Sequence, residues 1–90
     1  MIVQDRKCFF CENTQSLHEH HCISGTANRK KSEQYGLKVW LCPYHHNIGK
    51  NSVHNNRAME LRVKRFAQQY FLDNIGDMAL WLKEFGKSWL

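Results

Sequence analysis

Two short stretches in the first half of the chain have a pattern with a period of two residues. They run from Leu17 to Ile23 and from Leu37 to Leu41. Because successive side chains of a strand point to opposite faces, we predict a β-strand for each. On the first strand, His18, His20 and Cys22 share one face and Leu17, Glu19, His21 and Ile23 the other.

The second half of the chain has helical periodicity from Asn55 onward. Its apolar stripe is expected to consist of Met59, Val63, Phe66 and Tyr70, with Ala67 and Phe71 beside it. Gly76 is predicted to break this helix. Asp77 can cap a second helix that stops near Gly86.

The connection between the two predicted strands is polar and basic. Residues 25–31 are expected to form a loop, followed by one helical turn at 32–35 that Gly36 closes in a left-handed conformation. The predicted fold class is therefore α+β. We expect one domain over residues 1–90, with a ββ hairpin in 8–46 and a helical part in 55–90.

Four residues have the spacing of metal ligands: Cys8, Cys11, Cys42 and His45. A C-x2-C pair and a C-x2-H pair, with thirty residues between them, suit tetrahedral zinc, because each tight turn aims two donors at one ion. His46 is an alternative to His45, and cysteines are also common as buried apolar residues. Cys22 is expected to be a buried thiol. We name the four-residue set the zinc clip.

Length and composition make a structural metal useful. Ninety residues bury a core that is marginal alone, and metal binding adds to folding free energy. The first residues lack the apolar run of a signal peptide, and no stretch reaches transmembrane length. A cytoplasmic protein without disulfides is therefore expected, with no membrane partner.

The charge distribution favours a polyanionic partner. The formal net charge is +5, and residues 28–66 contain nine basic and two acidic side chains. Such a local excess is typical of nucleic-acid binding. The candidate phosphate contacts are Arg29, Lys30, Lys31, Arg57, Arg62 and Arg65. For the last three, a solvated helix face is an equally good interpretation.

Five histidines remain once the clip is assigned: His18, His20, His21, His46 and His54. Phosphodiester hydrolysis needs a base that deprotonates water and a cation that stabilises the leaving oxygen, and imidazole can serve as the base or as a ligand of the cation. His20 and His21 can share one site only at a bulge or a strand end.

The run LHEHHCISGTANRKKSEQYGLKVWLCPYHHN, from Leu17 to Asn47, and the following VHNN resemble the phage HNH nucleases of the Ref type, which are RecA-dependent nucleases linked to recombination enhancement. The resemblance implies a ββα-metal fold and a DNA endonuclease. It also implies DNA as a partner, a recombinase filament as a second one, and a phage gene expressed in a bacterial cytoplasm.

The resemblance also implies site roles. His20 would be a ligand of the catalytic ion (Mg²⁺, Mn²⁺ or Zn²⁺), His21 the general base, and His46 and His54 the other ligands. The reverse order, with His20 as the base, is left open by the sequence. The gap between His46 and His54 is longer than the usual H-x3-H spacing.

The asparagine of the HNH motif has no clear equivalent. Residues 35–40, where it would stand, contain none, and Asn28 and Asn47 are the nearest. Two other functions remain open: a non-catalytic, zinc-dependent nucleic-acid-binding module, and an adaptor for recombination machinery.

Overall fold

The structure is a computed structural model that describes residue 2 and residues 5–90. Positions 1, 3 and 4 of the predicted domain lie outside the described residues. The order of elements is β1 (His18–His21), α1 (Thr26–Tyr35), β2 (Lys38–Leu41), a π-helical turn (Tyr44–Ile48), α2 (Arg57–Asn74) and α3 (Met78–Phe85). The α+β fold class is confirmed. No helix in this part of the chain is long and apolar enough to span a membrane.

The two strands form an antiparallel pair in which His18 lies opposite Leu41 and His20 opposite Val39. Both strands are shorter than predicted. Leu37, Val39 and Leu41 are fully buried, as the alternation on the second strand indicated. β2 therefore presents one face to the core, and its pairing with β1 fixes the position of that strand.

Helix α1 is the main departure from prediction. Residues 25–31 were expected to be a loop, but the helix begins at Thr26 and ends at Gly36, which has a φ of 68°. Ser32 is its only buried residue, so the helix has no apolar stripe for the sequence pattern to detect. The strands are thus joined through an inserted helix and not through a short hairpin turn.

Helices α2 and α3 supply five of the thirteen buried hydrophobic residues in the described part of the chain, including the two largest. The cap of α2 is Asn56, whose side chain accepts hydrogen bonds from two backbone N–H groups, and Asp77 caps α3 as predicted. Trp81 and Phe71 are fully buried and pack edge to face, with ring centroids 5.2 Å apart. The two helices pack against each other, and α3 also contacts α1.

The predicted apolar stripe of α2 is wrong in part. Phe66 is 39% exposed, whereas Lys64 and Gln68 are buried. Contacts with the C-terminal residues 88 and 89 explain why Lys64 and Gln68 are buried. Gln68 bonds to Ser88 and to the backbone of Trp89, and the Lys64 ammonium lies over the Trp89 ring. The hydrophobic pattern of α2 alone cannot show that residues 88 and 89 cover this face of the helix.

Candidate metal centres and catalytic cleft

Two backbone turns carry the zinc clip. In the first, the N–H of Glu12 donates to the carbonyl of Cys8, and Glu12 has a φ of 63°. In the second, the N–H groups of His45 and His46 both donate to the carbonyl of Cys42. A bond from the N–H of Phe9 to the carbonyl of Trp40 docks the first turn on β2. The two ligand pairs therefore face each other.

The distances within the clip match a tetrahedral zinc site. One ligand atom from each of Cys8, Cys11, Cys42 and His45 lies within 4.8 Å of the other three. The sulfurs of Cys11 and Cys42 are 3.7 Å apart, and that of Cys42 is 3.4 Å from His45 Nδ1. Zinc–ligand bond lengths give S–S and S–N edges of about 3.8 and 3.5 Å in a tetrahedron. The donor set therefore fits zinc, as the spacing predicted.

The pKa directions alone do not separate the ligand cysteines from Cys22, because burial raises the pKa of the ligand Cys11 to about 11 in the metal-free protein. Burial opposes ionisation of Cys8, but backbone N–H donors from Cys42, Phe10 and Cys11 lower the pKa of this thiol below its ordinary value. Burial raises the pKa of Cys22 to about 12, and Cys22 is not one of the clustered ligands. Cys22 is the inert buried thiol that the sequence indicated.

A second cluster consists of His20, His46 and His54, and we name it the histidine cluster. One nitrogen from each ring lies within 4.8 Å of the others. The Nε2 atoms of His46 and His54 are 3.2 Å apart, close to the separation of about 3 Å expected for two imidazole nitrogens on one divalent ion. Three imidazoles would leave further coordination positions open on a bound ion.

The segment after the π-helical turn explains how His54 reaches His46 across eight residues. The N–H of Val53 donates to the carbonyl of His45, and that of His54 to the carbonyl of His46. The Asn55 side chain holds the same segment through the carbonyls of Asn47 and Gly49. The loop therefore runs back along the turn, and the long spacing does not separate the two rings.

His18 lies behind the cluster. Its Nδ1 is 3.0 Å from Nδ1 of His46. His18 and His20 were predicted to share one face of the strand, and both rings approach His46. This contact leaves Nε2 of His46 directed toward His54. A hydrogen bond to the second ring nitrogen is the usual way in which a metal-binding histidine is oriented.

Protonation also favours ligation at this cluster. Burial, followed by the nearby His46 and His54, lowers the pKa of His20 to about 4 in the metal-free protein. Burial, followed by the nearby His54 and His18, lowers the pKa of His46 as well. Both imidazoles are therefore neutral near pH 7 and have a lone pair available for a cation.

His21 occupies the last position of β1 and lies outside the histidine cluster. Its Nε2 is 2.9 Å from Oε2 of Glu33, on helix α1. His20 and His21 nevertheless line the same open cleft of about 440 Å³, together with His46, His54 and Arg29. The end of the strand thus allows neighbouring histidines to face one cavity.

The predicted phosphate contacts are dispersed. Arg29 lines the cleft, and Lys30 lines the adjoining depression beside His21. The Lys31 ammonium instead donates to the carbonyl of Glu84 on α3, at 2.6 Å. On α2, Arg57 is exposed near the helix start.

The two other arginines of α2 have protein partners. Arg62 lies over the ring of Phe10, and Arg65 donates to the carbonyl of Trp89. The structure therefore brings Arg29 to the cleft and Lys30 to the adjoining depression, and it brings Lys31 to neither.

Neither candidate asparagine contacts His21. Asn28 donates to the carbonyl of Ser24, and the carbonyl of Asn47 accepts from Asn55. Sequence reasoning missed Glu33, because it placed the preceding residues in a loop. A helix over 26–35 would have put Glu33 on the same side of α1 as Arg29 and Lys30, at spacings of four and three.

Comparison of the chain with protein-family models, with curated proteins and with solved structures finds no significant match.

Proposed function

We propose that this protein is a metal-dependent DNA endonuclease of the HNH type. The observation that supports it best is the convergence of His20, His46 and His54 in one cleft that His21 and Arg29 also line. Glu19 lines the cleft as well, which combines three imidazole ligands, a further imidazole and the cation of Arg29. These are the parts that hydrolysis of a phosphodiester requires.

In the proposed mechanism His20, His46 and His54 would hold the catalytic ion. That ion, Mg²⁺, Mn²⁺ or Zn²⁺, would supply a Lewis acid that stabilises negative charge on the scissile phosphate and its leaving oxygen. His21 takes a proton from the attacking water. Because its Nε2 lies against Glu33, Nδ1 is the ring nitrogen assigned to accept that proton.

The basic residues of α1 position the backbone of DNA. Arg29 lies in the cleft and Lys30 beside it, where both can pair with phosphate oxygens. Such contacts fix the register of the substrate without reading its sequence. The zinc clip has no chemical role in this proposal, since its four ligands complete a closed structural site.

A supercoiled-plasmid nicking assay with Mg²⁺, Mn²⁺ or Zn²⁺ tests the proposal. We expect His21→Ala to lower the nicking rate by roughly 10²–10⁴-fold while metal binding is retained. His46→Ala is expected to abolish binding of the second metal ion. If the wild-type protein nicks DNA with none of these ions but still binds it, the non-catalytic zinc-dependent module is the better description.

Two variants on α1 form a matched pair for DNA binding. Arg29→Ala should weaken binding and reduce its dependence on salt concentration, because Arg29 faces the cleft. Lys31→Ala removes the same charge from the same helix but from a side chain held by Glu84. Equal losses in both variants would contradict the assigned DNA path.

The proposed recombinase partner has its own test. If a recombinase filament directs the nuclease, its addition should raise the nicking rate on the DNA that it coats. Salt-insensitive binding to the filament by a protein without DNA affinity would support the adaptor function instead.

A further inference from the structure

The general base assigned above lacks the asparagine that the HNH name implies. The Asn28 side chain donates to the carbonyl of Ser24, and Asn47 accepts from Asn55 through its backbone carbonyl. Among the residues that the structure describes, the only side-chain partner of the His21 ring is Glu33. Glu33 is on α1, the helix inserted between the two strands. The inserted helix therefore supplies the partner of the His21 ring.

The contact has the geometry of a charge-assisted hydrogen bond. Nε2 of His21 and Oε2 of Glu33 are 2.9 Å apart, and Lys38 Nζ approaches the other carboxylate oxygen at 3.0 Å. A carboxylate can only accept, so the neutral His21 ring must carry its proton on Nε2. Nδ1 then has the free lone pair that a base needs.

Lys38 holds the Glu33 carboxylate in one orientation. Lys38 pairs with Glu33 from β2, opposite His21 in the strand register. One carboxylate oxygen is thus held by the lysine while the other faces the imidazole. This arrangement restricts rotation of the carboxylate and of the ring that it contacts.

We propose that Glu33 is the positioning residue for His21 and replaces the asparagine of the HNH motif. The inference rests on the proposed nuclease function. Glu33 fixes the tautomer and orientation of the ring, and it takes no part in binding DNA or metal. During the reaction the proton from water goes to Nδ1, and the resulting imidazolium is stabilised by the Glu33 carboxylate.

The kinetic test compares Glu33→Ala and Glu33→Gln in the nicking assay. Glu33→Ala should lower kcat by about tenfold or more and leave KM for DNA within about twofold. Glu33→Gln keeps an acceptor oxygen and should recover part of that loss. Asp73→Asn is the control, because it also converts an exposed helical carboxylate to an amide, and it should leave kcat unchanged.

A double variant shows whether Glu33 acts through His21. In a His21→Ala background, Glu33→Ala should cause no further loss. An equal loss in both backgrounds, or wild-type kcat in Glu33→Ala, would overturn the positioning role while leaving the nuclease proposal intact.

Imidazole nitrogen NMR gives a readout that needs no activity. We expect the Nε2–H tautomer of His21 in the wild-type protein and a mixture of tautomers in Glu33→Ala. The Nδ1–H tautomer in the wild-type protein, or an unchanged tautomer population in Glu33→Ala, overturns the inference. An inactive wild-type protein overturns the proposed function and this inference with it, whatever the tautomer.

Discussion

Removing one ligand of the zinc clip should destabilise the protein far more than removing a cysteine elsewhere. Cys42 and Cys22 are both buried, with 2% and 1% of their surface exposed, but only Cys42 belongs to the clip. Cys42→Ala and Cys22→Ala delete the same atom from similar surroundings. Any difference in the free energy of unfolding between these variants therefore reports the metal.

The size of the difference follows from the loop that the clip closes. Cys11 and Cys42 are 31 residues apart, and a cross-link across such a loop is worth roughly 4 kcal/mol of chain entropy. Loss of one buried sulfur costs only about 1 kcal/mol. A domain of 90 residues has a total stability of about 5–14 kcal/mol, so the loss is a large fraction of it.

Zinc release with a colorimetric chelator and thermal unfolding by circular dichroism measure the effect. Cys22→Ala should retain one tightly bound zinc per chain at the clip. Cys42→Ala should lose it and unfold at a temperature lower by a further 15–30 °C or so. The reasoning would be refuted if the two variants unfolded within a few degrees of each other, or if both kept the zinc.

Three further predictions concern the histidine cluster. His18→Ala should weaken metal binding there by about 10–100-fold without loss of clip zinc, as titration calorimetry with Mn²⁺ would show; unchanged affinity would mean that His18 does not orient His46. Because the pKa of His20 is lowered from 6.5 to about 4, its neutral form stabilises the fold above pH 6.5, and this contribution is lost as pH falls toward 4. With the clip loaded and the cluster metal-free, urea unfolding should show that the free energy of unfolding falls by about 2 kcal/mol between pH 7 and pH 5. This decrease should be absent in His20→Leu. Finally, an added Cβ at Gly49 would lie 2.5 Å from the carbonyl oxygen of Tyr44, so Gly49→Ala should cost about 1–3 kcal/mol and weaken cluster metal binding; wild-type values for both would show that the π-helical turn can adjust.

Local spacing predicted the clip well, because the ligands of each pair lie within one turn. The sequence also indicated the faces of the first strand, since His18 and His20 must project to the same side. It could not choose between His20 and His21 as ligand, because that depends on where His46 and His54 lie. The structure places those two rings against His20.

The parts that sequence reasoning missed lack an apolar pattern. Helix α1 buries only Ser32, so its helical residues looked like a polar loop, although Gly36 was correctly expected to end a helix. The π-helical turn has no sequence signature of its own. Its form depends on the docking of residues 49–55, which are held by backbone and asparagine hydrogen bonds.

His45 and His46 are consecutive in the chain, yet one belongs to the zinc clip and the other to the histidine cluster. A single peptide unit therefore connects the two centres mechanically. Oxidation of the clip thiolates would release His45 and, through the shared turn, would let His46 move away from His20 and His54. Metal affinity at the histidine cluster should therefore depend on the state of the clip, although the two sites share no ligand.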